Sequence, residues 1–170
     1  MTTKSKTARP RRRKFTLERT FKAPIQDVWD LWTTAEGIES WWGPDGFTVK
    51  VRKIDLRAGG ELLYAMIATG QAQMEFMKRE GMPLTQECRV TYREITPHRR
   101  LAYTHLADFI PGIEPYNVET VVELQPTSQG VRMLLTIDAM HDEEWTQRAL
   151  MGWEMELGKL AKVLEISSHP

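Results

Sequence analysis

Two ionisable side chains of this sequence are predicted to lie among apolar residues, where they could carry acid–base chemistry. His105 lies in the stretch LAYTHLADF, whose alternation predicts a strand with His105 on the same face as its apolar neighbours. Glu156 falls inside the apolar face of a predicted C-terminal helix, where a carboxylate must be paired or protonated. If the two side chains meet, they form a candidate acid–base or orienting pair. The alternatives are a hydrogen-bonded core histidine and a glutamate closer to solvent.

No established catalytic or metal motif accompanies these two residues. The sequence contains no H-E-x-x-H, C-x-x-C, P-loop or G-x-S-x-G pattern. His98, His141 and His169 fall in a turn, before the last helix and at the C-terminus, and are predicted to be solvated. We therefore predict no metal and no cofactor, assign no catalytic residue beyond the candidates His105 and Glu156, and favour a protein that is not an enzyme.

The distribution of charge argues against several classes of partner. Residues 1–14 hold seven of the 23 basic residues and no acid, and we predict a disordered basic tail over residues 1–13. The remainder is acidic, so nucleic acid is not expected as the main partner. No apolar run reaches the roughly 20 residues that span a bilayer, so stable membrane insertion is not expected. The single cysteine, Cys88, fits a reducing cytoplasm.

The rest of the chain is predicted to form a single domain over residues 14–166. Apolar alternation predicts a first strand at 14–22, and a helical stripe predicts a helix from Pro24. Thr33 and Glu36 have capping-box spacing for a second short helix. Six further strands are predicted at 47–54, 60–68, 84–95, 99–109, 116–126 and 130–140.

Two further helices complete the prediction. A segment without alternation, 71–80, is predicted to be a helix inserted in a hairpin, and residues 71–82 are a candidate lid. Residues 142–165 are predicted to form one long helix, whose apolar face includes Gly152 and Trp153, with Arg148, Met151 and Met155 on the opposite face.

This order of elements predicts an α+β fold in which a curved antiparallel sheet of about seven strands wraps around the C-terminal helix. The sheet must bury its apolar face, and only the last helix is long enough to cover it. A curved sheet does not close tightly on one helix, so a pocket is expected between them. Of the adjacent residues Trp41 and Trp42, one is expected to pack inward and the other to cover the seam or face the pocket.

Several segments together resemble the START-like, or SRPBCC, superfamily, in particular the branch named for activators of the heat-shock protein 90 ATPase. They are FKAPIQDVWDLWTTAEGIESWWGPDGFTV, IDLRAGGELLY, YREITPHRRLAYTH and MGWEMELGKLAKVL. The resemblance implies the helix-grip fold, which is also that of the birch-pollen allergen. It also implies binding of lipids, sterols or polyketides, or cyclase or hydrolase activity. The chaperone activator has a separate N-terminal domain that the first 14 residues do not resemble, so a chaperone partner is not the first expectation.

The predicted function is the binding of a small hydrophobic molecule, lipid-like or aromatic and polyketide-like, between the sheet and the C-terminal helix. The alternatives are a cyclase or hydrolase that uses His105 or Glu156, and a protein-interaction module of the chaperone-activator kind. A homodimer is compatible with the sequence. The residues predicted to line the cavity are Trp42, Tyr64, Met66, Phe76, Tyr103, His105, Phe109, Met133, Leu135, Trp153 and Glu156.

Overall fold

The computed structural model describes the backbone of residues 13–168 and the side chains of residues 13–165. The predictions for the basic tail, which concern residues 1–13, and for His169 therefore lie almost entirely outside the described residues. The structure confirms the predicted α+β class and the predicted order of elements. In chain order the elements are β1 (Lys14–Phe21), α1 (Ile25–Thr33), α2 (Ala35–Trp41), β2 (Phe47–Ile54), β3 (Glu61–Ala68), α3 (Gln71–Arg79), β4 (Thr85–Thr96), β5 (Arg100–Ala107), β6 (Tyr116–Thr127), β7 (Gly130–Asp138) and α4 (Glu143–Ser168).

The seven strands form one sheet in the order β1-β7-β6-β5-β4-β3-β2, and every neighbouring pair is antiparallel. Strands β2 to β7 follow one another as a meander, so only the step from β1 to β2 crosses from one edge of the sheet to the other. The helices α1 and α2 make that crossing. The curved open sheet and the long C-terminal helix constitute the predicted helix-grip fold.

The junction between α1 and α2 differs from the predicted capping box by one residue. Thr34, not Thr33, is the N-cap of α2, because its Oγ1 accepts the N–H of Gly37 at 3.0 Å. Thr33 is still inside α1, where its hydroxyl donates to the carbonyl of Trp29 at 2.8 Å. Similarly, Pro24 is the N-cap of α1 rather than its first helical residue. The two adjacent threonines offer the same chemistry, and the fold selects the exposed one as the cap.

Helix α4 begins after Asp142, whose Oδ1 accepts the N–H of Trp145 at 2.8 Å. Its apolar face has two parts with different roles. Leu157, Leu160 and Leu164 are almost completely buried and belong to the main core. The preceding part, from Trp145 to Glu156, lies over the inner face of the sheet without filling the space beneath it. The first part of α4, from Trp145 to Glu156, therefore covers a hollow. The second part, from Leu157 to Leu164, fixes the helix in the core.

Candidate functional site

A cavity of about 510 Å³ lies between the inner face of the sheet, helix α3, the loop after α2 and the first part of α4. This volume is within the roughly 300–1,000 Å³ that is typical of small-molecule sites. Nine of the eleven residues predicted to line a cavity lie in its wall. They are Trp42, Tyr64, Met66, Phe76, Tyr103, His105, Phe109, Trp153 and Glu156. That they bind a ligand remains a prediction.

Met133 and Leu135 do not line the cavity, contrary to expectation. Both are completely buried in the core, and Trp32 Nε1 donates a hydrogen bond to the sulfur of Met133 at 3.3 Å. The alternation of β7 does place them on the inner face, but α1 covers that part of the sheet. Ile137, one pleat further along β7, reaches the cavity in their place.

The adjacent tryptophans Trp41 and Trp42 have different roles. Trp41 is fully buried between α1 and α2, and its Nε1 donates to the carbonyl of Leu31 at 2.7 Å. Trp42 follows the end of α2 and lies in the cavity wall, edge-on to Tyr64 with ring centroids 5.3 Å apart. The ring of Tyr103 is 6.0 Å from that of Trp42. Trp41 is thus a core residue, and Trp42 separates the core from the hollow.

Glu156 connects α4 to the loop that follows Trp42. Its Oε1 accepts the N–H of Gly43 at 2.9 Å, and Lys159 Nζ donates to the carbonyl of the same glycine at 2.8 Å. Gly43 has φ of +89°, a conformation that side chains with a Cβ rarely adopt. Of the two expectations for Glu156, the structure shows the polar contact, and the partner is a backbone amide.

Burial raises the pKa of Glu156 to about 7. The hydrogen bond from Gly43 and the positive charge of Lys159 act in the opposite direction and do not offset the burial. Both the neutral and the ionised form of Glu156 are therefore populated near neutral pH, which is the property required of a general acid or base.

His105 pairs with Tyr64 and not with Glu156. The hydroxyl of Tyr64 and Nε2 of His105 share a hydrogen bond of 3.2 Å. Burial lowers the pKa of His105 to about 4, and the nearby Asp108 only partly counteracts it. Burial also raises the pKa of Tyr64 well above its ordinary value. Both groups are therefore neutral at physiological pH. His105 and Glu156 therefore line the same cavity, but they are not hydrogen-bonded to each other as the candidate pair would require.

The mouth of the cavity includes three residues of α4 that the sequence places on the face opposite its apolar face. Arg148, Met151 and Met155 all line the opening, and Met151 is 61% exposed. The guanidinium of Arg148 lies 4.8 Å from the ring centre of Trp145 and forms an ion pair with Glu144. The exposure of Met151 and Met155 agrees with the predicted face, and the cavity reaches further around the helix than its most buried stripe.

Helix α3 lies beside the mouth, as a lid would, and contributes Phe76 and Met77 to the wall. It is fixed at its N-terminal end, where the N–H of Gly70 donates to the carbonyl of Gly46 at 3.0 Å. That residues 71–82 open and close over the cavity remains a prediction.

The predicted list of lining residues lacks three that carry much of the site's character. Gln86 is a buried polar side chain on the inward alternation of β4, next to Cys88 and Val90. Ala149 and Gly152 are small residues on the cavity side of α4. A glutamine in an apolar alternation and a glycine within a helix were both visible in the sequence as unusual choices.

The other histidines have defined partners. His141 is partly buried rather than solvated, because its Nδ1 shares a hydrogen bond of 2.8 Å with the hydroxyl of Tyr116. His98 is partly buried in a turn and shares a hydrogen bond with Gln26. Within residues 13–168, no group of three or more His, Cys, Asp or Glu residues is arranged to hold a metal ion.

No helix in the described part of the chain has the length and apolar character needed to cross a membrane.

Comparisons with known proteins agree with the fold. The profile of the family described as Activator of Hsp90 ATPase homolog 1-like protein matches residues 22–165. A crystal structure of a protein from Chromobacterium violaceum is 24% identical, with a TM-score of 0.74 over 89% of this chain and 96% of the other. An AHSA1 protein from Silicibacter pomeroyi is 21% identical, with a TM-score of 0.69 over 91% of this chain and 99% of the other.

An AHSA1-like protein from Aeromonas hydrophila, solved by NMR, is 20% identical, with a TM-score of 0.69 over 93% of this chain and 97% of the other. At these identities the similarity to the solved structures establishes the fold alone. The comparison with curated proteins found no match.

Proposed function

We propose that this chain, which belongs to the family of Activator of Hsp90 ATPase homolog 1-like proteins, binds a small hydrophobic molecule in the cavity between the sheet and α4. The observation that carries the proposal is the hollow of about 510 Å³ beneath the first part of α4. Protein interiors are otherwise packed as densely as organic crystals, so a space of this size within one domain needs a reason. A ligand that removes apolar surface from water would supply one.

The composition of α4 supports the same conclusion. Gly152 is in the middle of a 26-residue helix, where glycine costs about 1 kcal/mol relative to alanine. A Cβ at this position would meet no heavy atom within 4 Å, so packing does not require glycine there. What glycine provides at position 152 is space at the cavity wall. Ala149, one turn earlier on the same side, has the same effect.

The proposal is tested by filling that space. In Gly152→Leu the new side chain would extend into the hollow, whereas in Gly158→Leu it would extend into solvent from the same helix. Both positions are helical, and a Cβ is free of contacts at each, so the second variant is a matched control. The measurement is the affinity for a neutral fluorescent apolar probe, such as phenyl-naphthylamine.

We expect the wild type and Gly158→Leu to bind the probe equally and Gly152→Leu to bind at least about tenfold more weakly, a difference of about 1.4 kcal/mol. Native mass spectrometry of gently purified wild-type protein should also detect a co-purified apolar molecule. Equal probe binding by both leucine variants, or none by the wild type, would show that the cavity is not a binding site.

A second candidate function is acid–base catalysis on the bound molecule. The observation in its favour is that Glu156 lies in the cavity wall, where burial raises its pKa to about 7. The test is the hydrolysis of a neutral naphthyl ester, whose rate should have an inflection near that pKa and be lost in Glu156→Gln. An unchanged rate in this variant would exclude Glu156 as the acid or base.

A chaperone-activator type of interaction receives less support. It would require a large apolar patch on the outer face of the sheet. Ion pairs between strands occupy that face instead, including Arg89 with Glu61 and Arg100 with Glu123. Two of the four large apolar side chains that are exposed in the described residues, Met151 and Met155, belong to the cavity mouth.

A further inference from the structure

One carboxylate oxygen in the cavity wall is free to meet a ligand. Glu156 lines the cavity and remains partly exposed. Its Oε1 accepts the N–H of Gly43, whereas its Oε2 makes no hydrogen bond with any described residue. Oε2 is also not one of the partnerless polar atoms that the fold closes off from solvent, so it keeps surface that a molecule in the hollow can reach.

Aromatic rings of the cavity wall lie around this carboxylate. The ring centre of Trp42 is 5.3 Å from that of Tyr64 and 6.0 Å from that of Tyr103. Burial is the main cause of the raised pKa of both phenols, and the nearby Glu156 carboxylate raises it further. Trp153, one turn before Glu156 on α4, also lines the cavity. Aromatic rings attract cations through the negative potential of their faces, and aromatic cages recognise ammonium groups in this way.

No cation in the described part of the chain forms an ion pair with Glu156. Burial raises the pKa of Glu156, and Lys159, one turn later on α4, only partly counteracts it. The Nζ of Lys159 donates instead to the carbonyl of Gly43. Among the described lining residues, the only guanidinium is that of Arg148, which is at the mouth and is paired with Glu144.

The other two carboxylates of the cavity wall add no positive charge and differ in their surroundings. Asp138 is paired with Lys14, whose Nζ lies 2.6 Å from its Oδ1. Asp45, in the loop after α2, is exposed and has no ion pair or hydrogen bond with the described residues. The wall thus contains two carboxylates without a cationic partner, Asp45 and Glu156, and this distribution disfavours an anionic ligand.

An uncharged ligand would leave the free oxygen of Glu156 without a partner. An apolar molecule that fills the hollow displaces water, and a carboxylate that loses its water without gaining a partner is unfavourable. Either Glu156 then takes up a proton, or the ligand brings a positive group to Oε2. The surrounding rings favour the second alternative, because they attract a cation as well.

We propose that the ligand is an apolar molecule with one positively charged amino or quaternary ammonium group, and that this group lies between Glu156 Oε2 and the aromatic rings near it. This inference rests on the proposed binding function and deepens it, because it assigns the charge of the ligand and excludes free fatty acids and other carboxylates as the preferred ligands. The apolar part of the molecule would extend toward Met151 and Met155 at the mouth.

The test compares three naphthalene probes that differ in one substituent. The first carries a trimethylammoniomethyl group, the second its neutral isostere, in which carbon replaces the nitrogen, and the third a carboxymethyl group. Affinities for the wild type, Glu156→Gln and Glu154→Gln are measured by calorimetry at pH 8, above the pKa of Glu156 of about 7.

The two variants remove the same charge from different surroundings. Glutamine at position 156 keeps the size of the side chain and an acceptor for the N–H of Gly43. Glu154 is an exposed residue of the same helix and lies outside the cavity wall, so Glu154→Gln is the matched control.

At pH 8 we expect the wild type and Glu154→Gln to prefer the cationic probe over its neutral isostere by about tenfold, the scale of a desolvated cation–π contact. In Glu156→Gln this preference should shrink at least about threefold, while the neutral isostere still binds. The carboxylate probe should bind the wild type more weakly than either of the others.

The preference should also depend on pH, because Glu156 ionises within the accessible range. The other ionisable groups on the elements packed against it are Asp45, Tyr64, Tyr103, His105 and Lys159. Burial keeps the two phenols and the imidazole neutral near pH 7. In the wild type the preference for the cationic probe should rise between pH 6 and pH 8, and in Glu156→Gln it should stay constant. The quaternary probe has no proton to lose, so its own charge does not change.

The outcomes separate this inference from the proposed function. If the neutral isostere binds and the cationic probe gains nothing, or if the carboxylate binds best, the assignment of a cationic ligand is wrong and the binding function stands. If the preference for the cationic probe persists undiminished in Glu156→Gln, the assigned partner is wrong. If none of the probes binds the wild type, the proposed function itself fails.

Discussion

Replacing Glu156 by glutamine should change how the stability of the protein depends on pH. Glu156 and His105 both lie in the cavity wall, and burial moves their pKa values in opposite directions. The pKa of Glu156 rises from 4.5 to about 7, and that of His105 falls from 6.5 to about 4. Each group therefore links folding to proton binding, with opposite signs.

The sign for each group follows from which state binds the proton more tightly. The folded state holds the Glu156 proton more tightly than the unfolded state, so its contribution to stability is lost as the pH rises from 4.5 to about 7. The unfolded state holds the His105 proton more tightly, so stability is lost as the pH falls from 6.5 to about 4. Between 4.5 and 6.5 the two effects largely cancel.

The magnitude is limited by the two pKa differences. A tenfold change in proton affinity corresponds to about 1.4 kcal/mol, so each group contributes at most about 3 kcal/mol to the free energy of unfolding. Glutamine at position 156 retains an oxygen that can accept the N–H of Gly43. The variant Glu156→Gln should therefore match the wild type below pH 4.5, where the glutamate is protonated, and exceed it by roughly 1–3 kcal/mol above pH 7.

The assay is urea unfolding of the wild type and Glu156→Gln at a series of pH values, with the difference in unfolding free energy plotted against pH. The complementary variant His105→Gln should show the Glu156 effect alone, with stability falling as the pH rises through 4.5 to 7. A constant difference between Glu156→Gln and the wild type across this range would refute the reasoning, because it would mean that Glu156 titrates equally in both states.

Three further predictions concern stability. Gly152→Ala and Gly158→Ala should each stabilise the fold by up to about 1 kcal/mol, since a Cβ meets nothing at either position, and thermal unfolding should show a rise in Tm of about 2–4 °C. Thr34→Ala should cost about 1 kcal/mol in urea unfolding through loss of the α2 cap, and an unchanged value would contradict the assignment of Thr34 as N-cap. Met133→Ala should cost about 2–5 kcal/mol and leave probe affinity unchanged, because Met133 packs in the core; a selective loss of binding would place it at the cavity after all.

The order and type of the elements could be predicted because alternation and helical periodicity are local properties. Strand β2 has the predicted bounds, 47–54, and the other predicted strands differ from the structure by no more than three residues at either end. The capping error at Thr33 and Thr34 shows where local reasoning stops. Two neighbouring threonines have the same capping chemistry, and only the packing of Trp29 and Trp32 against the core decides which belongs to α1.

The cavity lining was partly predictable for a related reason. Alternation identifies the inner face of each strand, so Tyr64, Tyr103 and His105 could be placed at the cavity. It does not identify which element covers a given part of that face. Met133 and Leu135 are on the inner face but under α1, and the sequence carries no signal for that difference.

Glu156 shows what only the three-dimensional structure provides. A helical wheel predicted that its carboxylate lies among apolar residues and needs a partner. The obvious candidate was another ionisable side chain, His105. The actual partner is the N–H of Gly43, which becomes available because that residue adopts a positive φ in the loop after Trp42.

Two groups in one cavity wall are therefore held apart, each by a different neighbour: Glu156 by a loop amide and His105 by the hydroxyl of Tyr64. Had they been directly paired, ionisation of one would favour ionisation of the other, and their pKa values would move away from each other toward the charged forms. Burial without that pairing moves the values in the opposite directions, so that His105 stays neutral near pH 7 while Glu156 is only partly ionised there.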